Sequence, residues 1–243
     1  MFYELFPTLL SYQFILIPAA VVPALLLMFQ VYRTDRLEKE PARLLWQLAL
    51  LGVLCVLPPV IWALVFNHLL DLVLTEEHVL YGIIDNFLIV ALAEEGCKYL
   101  MLRLRTWRSP EFNCQYDGVV YAVFVSLGFA LFENILYVCF HGFGTAISRA
   151  LLSVPGHAAF GVFMGVFYGL AKKYDNLGDR KTSRIYRVLA VAVPVSLHGT
   201  YDYILDLAAS NWLFLLVFGG FIIALFTVSI VLITKASNRD RAI

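Results

Sequence analysis

The chain of 243 residues is 61% hydrophobic and 15% charged, with a mean hydropathy of +0.79. Soluble domains carry about 45–50% apolar and about 25% charged residues, so a soluble enzyme, a disordered chain and a disulfide scaffold are excluded and a polytopic membrane protein remains. Eighteen basic and eighteen acidic residues cancel, which leaves no electrostatic case for binding nucleic acid.

The chain starts MFYELFPTLL, without Lys or Arg before the first apolar run. A secretory signal needs a positive n-region, so Leu9–Tyr32 reads as a retained span. Six more apolar stretches follow, giving seven spans at roughly 9–32, 44–69, 80–102, 118–141, 149–170, 186–207 and 212–234. Backbone groups in lipid must be satisfied internally, and these runs are too long for barrel strands, so an all-α bundle is predicted, with a kink at Pro58 and Pro59. The loops at 33–43, 103–117 and 171–187, with the tail from Lys235, hold 16 of the 18 cations. The opposite loops hold only Arg149, and Lys98 lies within a span. By the positive-inside rule the N-terminus is expected outside and the C-terminus in the cytoplasm. Cys55, Cys97, Cys114 and Cys139 form no CxxC or CxxH pair, so neither a metal ribbon nor a redox motif is supported. Without repeats or linkers, residues 1–243 read as a single membrane domain.

Ionisable groups within spans cost about 3 kcal/mol each on insertion scales, yet four consecutive spans retain them. Span three has Glu94, Glu95 and Lys98; span four has Glu133, Asn134 and Tyr137; span five has His157; span six has His198 and Asp202. Glu94 and Lys98, Glu133 and Tyr137, and His198 and Asp202 are each i, i+4 helix neighbours, so each pair points one way. Taken singly, the pairs read as structural ion pairs or satisfied hydrogen bonds. Glu133, His157 and His198 lie at a common depth of about 12–14 Å from the outer ends of their spans, and Glu95 joins them if span three starts near Asp85. So many groups at one level point to a site in the outer half of the bilayer. Asp85, Asn86, Asn67 and His68 read as boundary residues. Gly96, Gly128, Gly156, Gly161, Gly165 and Gly199 flank the polar groups and allow close helix approach.

Adjacent carboxylates in a low dielectric resist joint ionisation, so Glu94 and Glu95 supply a base with an acid or an orienting partner, while Lys98 keeps one charged. A glutamate base activates water, and His198 can stabilise an oxyanion; hydrolysis of a peptide bond in or near the membrane follows. GxSxG and HExxH are both absent, arguing against a serine hydrolase and a zincin. Metal-free chemistry is favoured because Lys98 competes with a bound cation. Were zinc present, its ligands would come from His157, His198, Glu133 and Asp202. A proton-coupled transporter or channel, and a scaffold retaining an inactive protease fold, are the non-enzyme alternatives.

In order along residues 82–206, Glu94-Glu95-x-x-Lys98, Phe132-Glu133-x-x-x-Tyr137, PGHAAFG around His157, and His198-x-x-x-Asp202 resemble the four motifs of the PrsW family. These bacterial membrane proteases are related to the CAAX-processing and bacteriocin-immunity proteases. In that wider superfamily the first motif ends in Arg with one more spacer, and His stands where this chain has Tyr137. The departures favour PrsW over the runner-up, a CAAX-type protease, and leave the role of Tyr137 open. The resemblance implies a multi-pass protease of the bacterial cell membrane that makes the site-1 cut in a single-pass anti-sigma factor on its extracytoplasmic side. It also implies Glu94 and Glu95 as the catalytic pair, His157 and His198 as essential, and Glu133 and Asp202 as supporting.

Overall fold

The computed structural model describes the backbone of residues 2–243 and the side chains of residues 16–243. The chain is helical in all seven expected passes, and no strand occurs among the described residues. Helix α1 spans Phe2–Thr34. The next pass is broken by its prolines into α2 (Ala42–Leu54) and α3 (Leu57–Asp71), with proline at the first positions of α3, where a missing N–H costs nothing. The third pass joins α4 (Val79–Ile83), a π-helical segment Ile84–Ala91 and α5 (Leu92–Thr106). The fourth is α6 (Asp117–His141). The fifth joins α7 (Phe143–Ser148), a second π-helical segment Arg149–Ser153 and α8 (Val154–Asn176). Helices α9 (Arg180–Ser210) and α10 (Leu213–Asn238) complete the bundle.

Six of the seven passes are long and apolar enough to cross a membrane. The third is not among the six, because Asp85, Glu94, Glu95 and Lys98 all fall within it. The fifth pass starts at Phe143 and the sixth at Arg180, each about six residues before its expected start.

The centre of the bundle is α6. Its apolar window is 72% buried, against 22% for α10, so α6 is the axis and α10 faces lipid along most of its length. Helices α1, α2 and α8 pack around α6; α9 packs on α8, and α10 covers both. Where α2 crosses α6, a Cβ on Gly128 would sit 2.1 Å from the Ala49 carbonyl oxygen, and one on Gly52 would sit 2.1 Å from that of Val125. In lipid, helices gain little from burying apolar surface against one another, so this backbone proximity carries the association. Gly128→Val is therefore expected to destabilise the protein by about 3 kcal/mol or more, read as a lowered melting temperature in detergent. Gly96→Ala is the control: nothing lies within 4 Å of that position, so the expectation that Gly96 permits close approach is not met.

One end of the bundle gathers the loop 35–41, the start of α6 and residues 239–243. Ser237 donates to the Thr34 carbonyl at 2.6 Å, and Gln115 N–H donates to the Arg241 carbonyl at 3.1 Å. In the loop, burial pushes the Asp35 carboxyl up to about 6 and the Glu40 carboxyl up to about 7. The polar groups predicted within the spans lie in the other half. Glu133 comes 16 residues after Asp117 on α6, about 24 Å further along the axis.

Candidate active site

Eight of the nine polar residues singled out within the spans, all but Asn134, converge around one cavity of about 560 Å³. Three of the four helices that carry them are irregular just upstream. Glu94 follows the first π segment, His157 follows the second, and Pro194 precedes His198 by one turn of α9. Such bulges are frequent at functional sites because they re-aim the side chains beyond them.

Lys98 is the hub. Fully buried, its ammonium donates its three N–H groups to Glu95 Oε1 at 2.7 Å, Glu94 Oε2 at 3.2 Å and His157 Nδ1 at 3.2 Å. The Phe129 ring covers it at 4.0 Å, so the cation is satisfied on every side. With Nδ1 of His157 accepting, Nε2 donates to Glu133 Oε2 at 3.0 Å, which assigns a neutral ring. His198 differs. Its Nδ1 meets Glu95 Oε1 at 3.0 Å and its Nε2 meets Asp202 Oδ2 at 3.2 Å, so the ring donates from both nitrogens, the pattern of a positively charged imidazole. Phe160 stacks on His198 with centroids 4.8 Å apart.

The two adjacent glutamates separate into different positions. Glu94 lines the cavity, with 14% of its side chain exposed, whereas Glu95 is wholly buried behind it, holding Lys98 and His198. Helical periodicity alone could not tell which faced the cavity, since consecutive residues differ by about 100° around the axis.

By its charge Arg149 is expected in an outer loop. The second π segment instead brings it to the cavity, where Nη2 donates to Glu133 Oε2 at 2.7 Å and Nε donates to Asn134 Oδ1 at 3.0 Å. Its guanidinium sits 4.1 Å from the Tyr137 ring centroid, which makes Tyr137 an aromatic seat for a cation. Asn134 in turn donates to the Ala20 carbonyl at 2.7 Å, tying α1 to the site. Asp85, Asn86 and Asp206 also line the cavity, with Asn86 donating to Asp206 Oδ2 at 2.8 Å. Asp85 and Asn86 read from the sequence as boundary residues, and the signal for Asp206 is its place one helical turn beyond Asp202. A larger groove of about 790 Å³, bordered by Tyr99, Arg103 and Arg187, has no Asp, Glu or His in its lining.

A partly enclosed set of carboxylates, histidines and a buried lysine, held between membrane-spanning helices, is the build of an intramembrane hydrolase. A family model described as "PrsW family intramembrane metalloprotease" matches residues 40–233. The protein named Protease PrsW of Geobacillus kaustophilus is 37% identical over 230 residues, covering 94% of this chain and 95% of that one. Those of Halalkalibacterium halodurans and Bacillus subtilis are 34% and 36% identical, over 94% and 83% of this chain and 100% and 87% of their own. No solved structure matches the chain. The chain belongs to the PrsW family of intramembrane proteases, and is thus a hydrolase and a multi-pass bacterial membrane protein.

The family description implies a metal, and the site's donors fit one in kind. Glu94, Glu95 and His198 each offer a ligand atom within 4.8 Å of the others, and Glu95 Oε2 is buried without a hydrogen-bond partner among the described residues. Two carboxylates and an imidazole suit zinc, and Asp202 stands behind His198 as an outer partner does. This trio differs from the set expected from sequence: Glu133 and Asp202 face the Nε2 atoms of His157 and His198 instead.

Proposed function

We propose that the chain cuts a peptide bond of a single-pass membrane protein, such as an anti-sigma factor, on the extracytoplasmic side, with Glu94 activating the water and no metal taking part. The observation that carries this reading is Lys98, whose ammonium is already paired with both carboxylates that would hold a metal. The extracytoplasmic side is supported by the loop cations, which gather at the end of the bundle away from the cavity. The anti-sigma substrate is supported by the motif resemblance.

Within the inner cluster, Glu94, Glu95, Glu133 and Asp202 oppose Lys98, Arg149 and His198. Four carboxylates against three cations leave one negative charge; of the cavity-lining carboxylates, Glu133 is held by Arg149 and His157 and Asp202 by His198, while Glu94 shares Lys98 with Glu95 and serves as the base. Glu94 takes a proton from water as the oxygen attacks the scissile carbonyl carbon. Positive charge on His198 and Arg149 faces the oxyanion that forms; His198 Nδ1 lies 4.0 Å from Glu94 Oε2, on the same side of the cavity. Glu94 then returns the proton to the leaving nitrogen as the C–N bond breaks. A zinc held by Glu94, Glu95 and His198 would supply Lewis-acid polarisation of the carbonyl.

The test compares membranes from cells carrying the wild-type chain with those carrying Glu94→Gln. A single-pass protein should accumulate with the variant, and purified wild-type chain should cleave it after exhaustive chelation. Activity lost to chelator and restored by Zn²⁺ would overturn the metal-free mechanism; accumulation of no membrane-anchored protein would overturn the substrate class.

A further inference from the structure

At the end of the bundle away from the cavity, four carboxylates from three parts of the chain meet: Asp35 and Glu40 from the loop after α1, Asp117 from the head of α6, and Asp240 beyond α10. Three of them use one oxygen for protein donors. Glu40 Oε2 accepts from the Tyr121 hydroxyl at 2.6 Å; Asp117 Oδ2 accepts from the Asn113 and Cys114 N–H groups at 3.0 and 2.6 Å; Asp240 Oδ1 accepts from the Tyr116 N–H at 2.8 Å. The remaining oxygens are Glu40 Oε1, Asp117 Oδ1, Asp240 Oδ2 and both of Asp35. All five are buried and find no donor among the described residues. Asp35 and Glu40 are each 3% exposed and Asp117 not at all. Lys39, whose charge acts on Asp35, does not fill the gap: its ammonium donates to the backbone carbonyls of Tyr32, Arg33 and Asp35 at the end of α1.

Buried carboxylate oxygens without partners are costly, and a group of them from separate segments needs a common counter-charge. One oxygen from each of Asp35, Glu40 and Asp117 lies within 4.8 Å of the other two. Oxygens bound at about 2.3–2.6 Å to one ion stand at most about 5 Å apart. We propose that Asp35, Glu40 and Asp117 bind one hard divalent cation of the Ca²⁺ or Mg²⁺ class. The trio contains only oxygen donors, the preference of these ions, and no nitrogen or sulfur such as zinc favours. Bound there, the ion joins the α1–α2 loop to the head of α6, on which the segment after α10 is already hydrogen-bonded. This site is separate from the Glu94 cluster and independent of the mechanism proposed for it.

Tb³⁺, a Ca²⁺ mimic whose emission is sensitised by nearby phenols, reads the site directly, since the Tyr121 hydroxyl touches Glu40. Purified full chain in detergent should show saturable Tb³⁺ emission that Ca²⁺ or Mg²⁺ displaces. Asp35→Asn should abolish it, and Glu95→Gln should retain it. The melting temperature of the Glu95→Gln chain should rise by about 5 °C between chelator and millimolar Ca²⁺ or Mg²⁺. That comparison holds even if Asp35→Asn folds poorly. Emission kept in a folded Asp35→Asn chain, displacement by Zn²⁺ alone, or a melting temperature that follows pH but ignores both cations would each overturn the proposal.

Discussion

Glu94→Gln is expected to lower the rate of substrate cleavage by about 10²–10⁴-fold while leaving the chain folded and inserted. The amide keeps the size of the carboxylate, and its oxygen still accepts from the Lys98 ammonium 3.2 Å away, so the bundle has little reason to change. What is lost is the ability to take a proton at the one glutamate of the adjacent pair that lines the cavity. Cleavage of a tagged substrate in proteoliposomes measures the effect, with the melting temperature of the variant as a control for folding. A rate within tenfold of wild type, in a chain that melts normally, would remove Glu94 from the role of base. Glu95→Gln should also lose activity, but by loosening Lys98 and His198, to which Glu95 Oε1 binds at 2.7 and 3.0 Å.

Lys98→Met has the largest expected effect on stability. It leaves Glu95 buried with His198 as its one remaining partner, and removing one partner of a buried ion pair costs about 3–5 kcal/mol. Glu94 and His157 Nδ1 lose a donor at the same time. The double variant Lys98→Met with Glu95→Gln should regain more than half of that loss, because the uncompensated charge is gone, and should remain inactive. Denaturant or thermal melts of the single and double variants in detergent measure the coupling. Equal melting temperatures for wild type and Lys98→Met would show that the buried ammonium does not hold the cluster together.

Hydropathy made the seven passes legible, and the i, i+4 rule made three pairs legible. Glu94–Lys98 and His198–Asp202 are in contact, and Glu133 and Tyr137 line the same cavity. Contacts set by tertiary packing were not legible. Lys98 reaches His157 across 59 positions of sequence, and no spacing rule spans that distance. Arg149 stood in a loop by charge and hydropathy, and only the π-helical segment at Arg149–Ser153 takes it to Glu133. Nothing in the sequence singles out Asp35, Glu40 or Asp117, because burial of a loop depends on what folds over it. Here the covering piece is the segment after α10, more than a hundred positions from Asp117.

The segment Ile84–Ala91 also sets the angular phase of everything that follows it. A π turn holds an extra residue compared with an α turn, so α5 is rotated against the heading of α4 from the start. Deleting one residue there would let the ladder relax to the α repeat and swing α5 by about 100° about its axis. Glu94 would leave the cavity, while hydrophobicity, length and composition would scarcely change. Two chains of this kind could thus match in every span and every motif residue, yet differ in whether the first glutamate points at the substrate. A single gap in that eight-residue stretch says more about the chemistry than many substitutions on the lipid-facing surfaces.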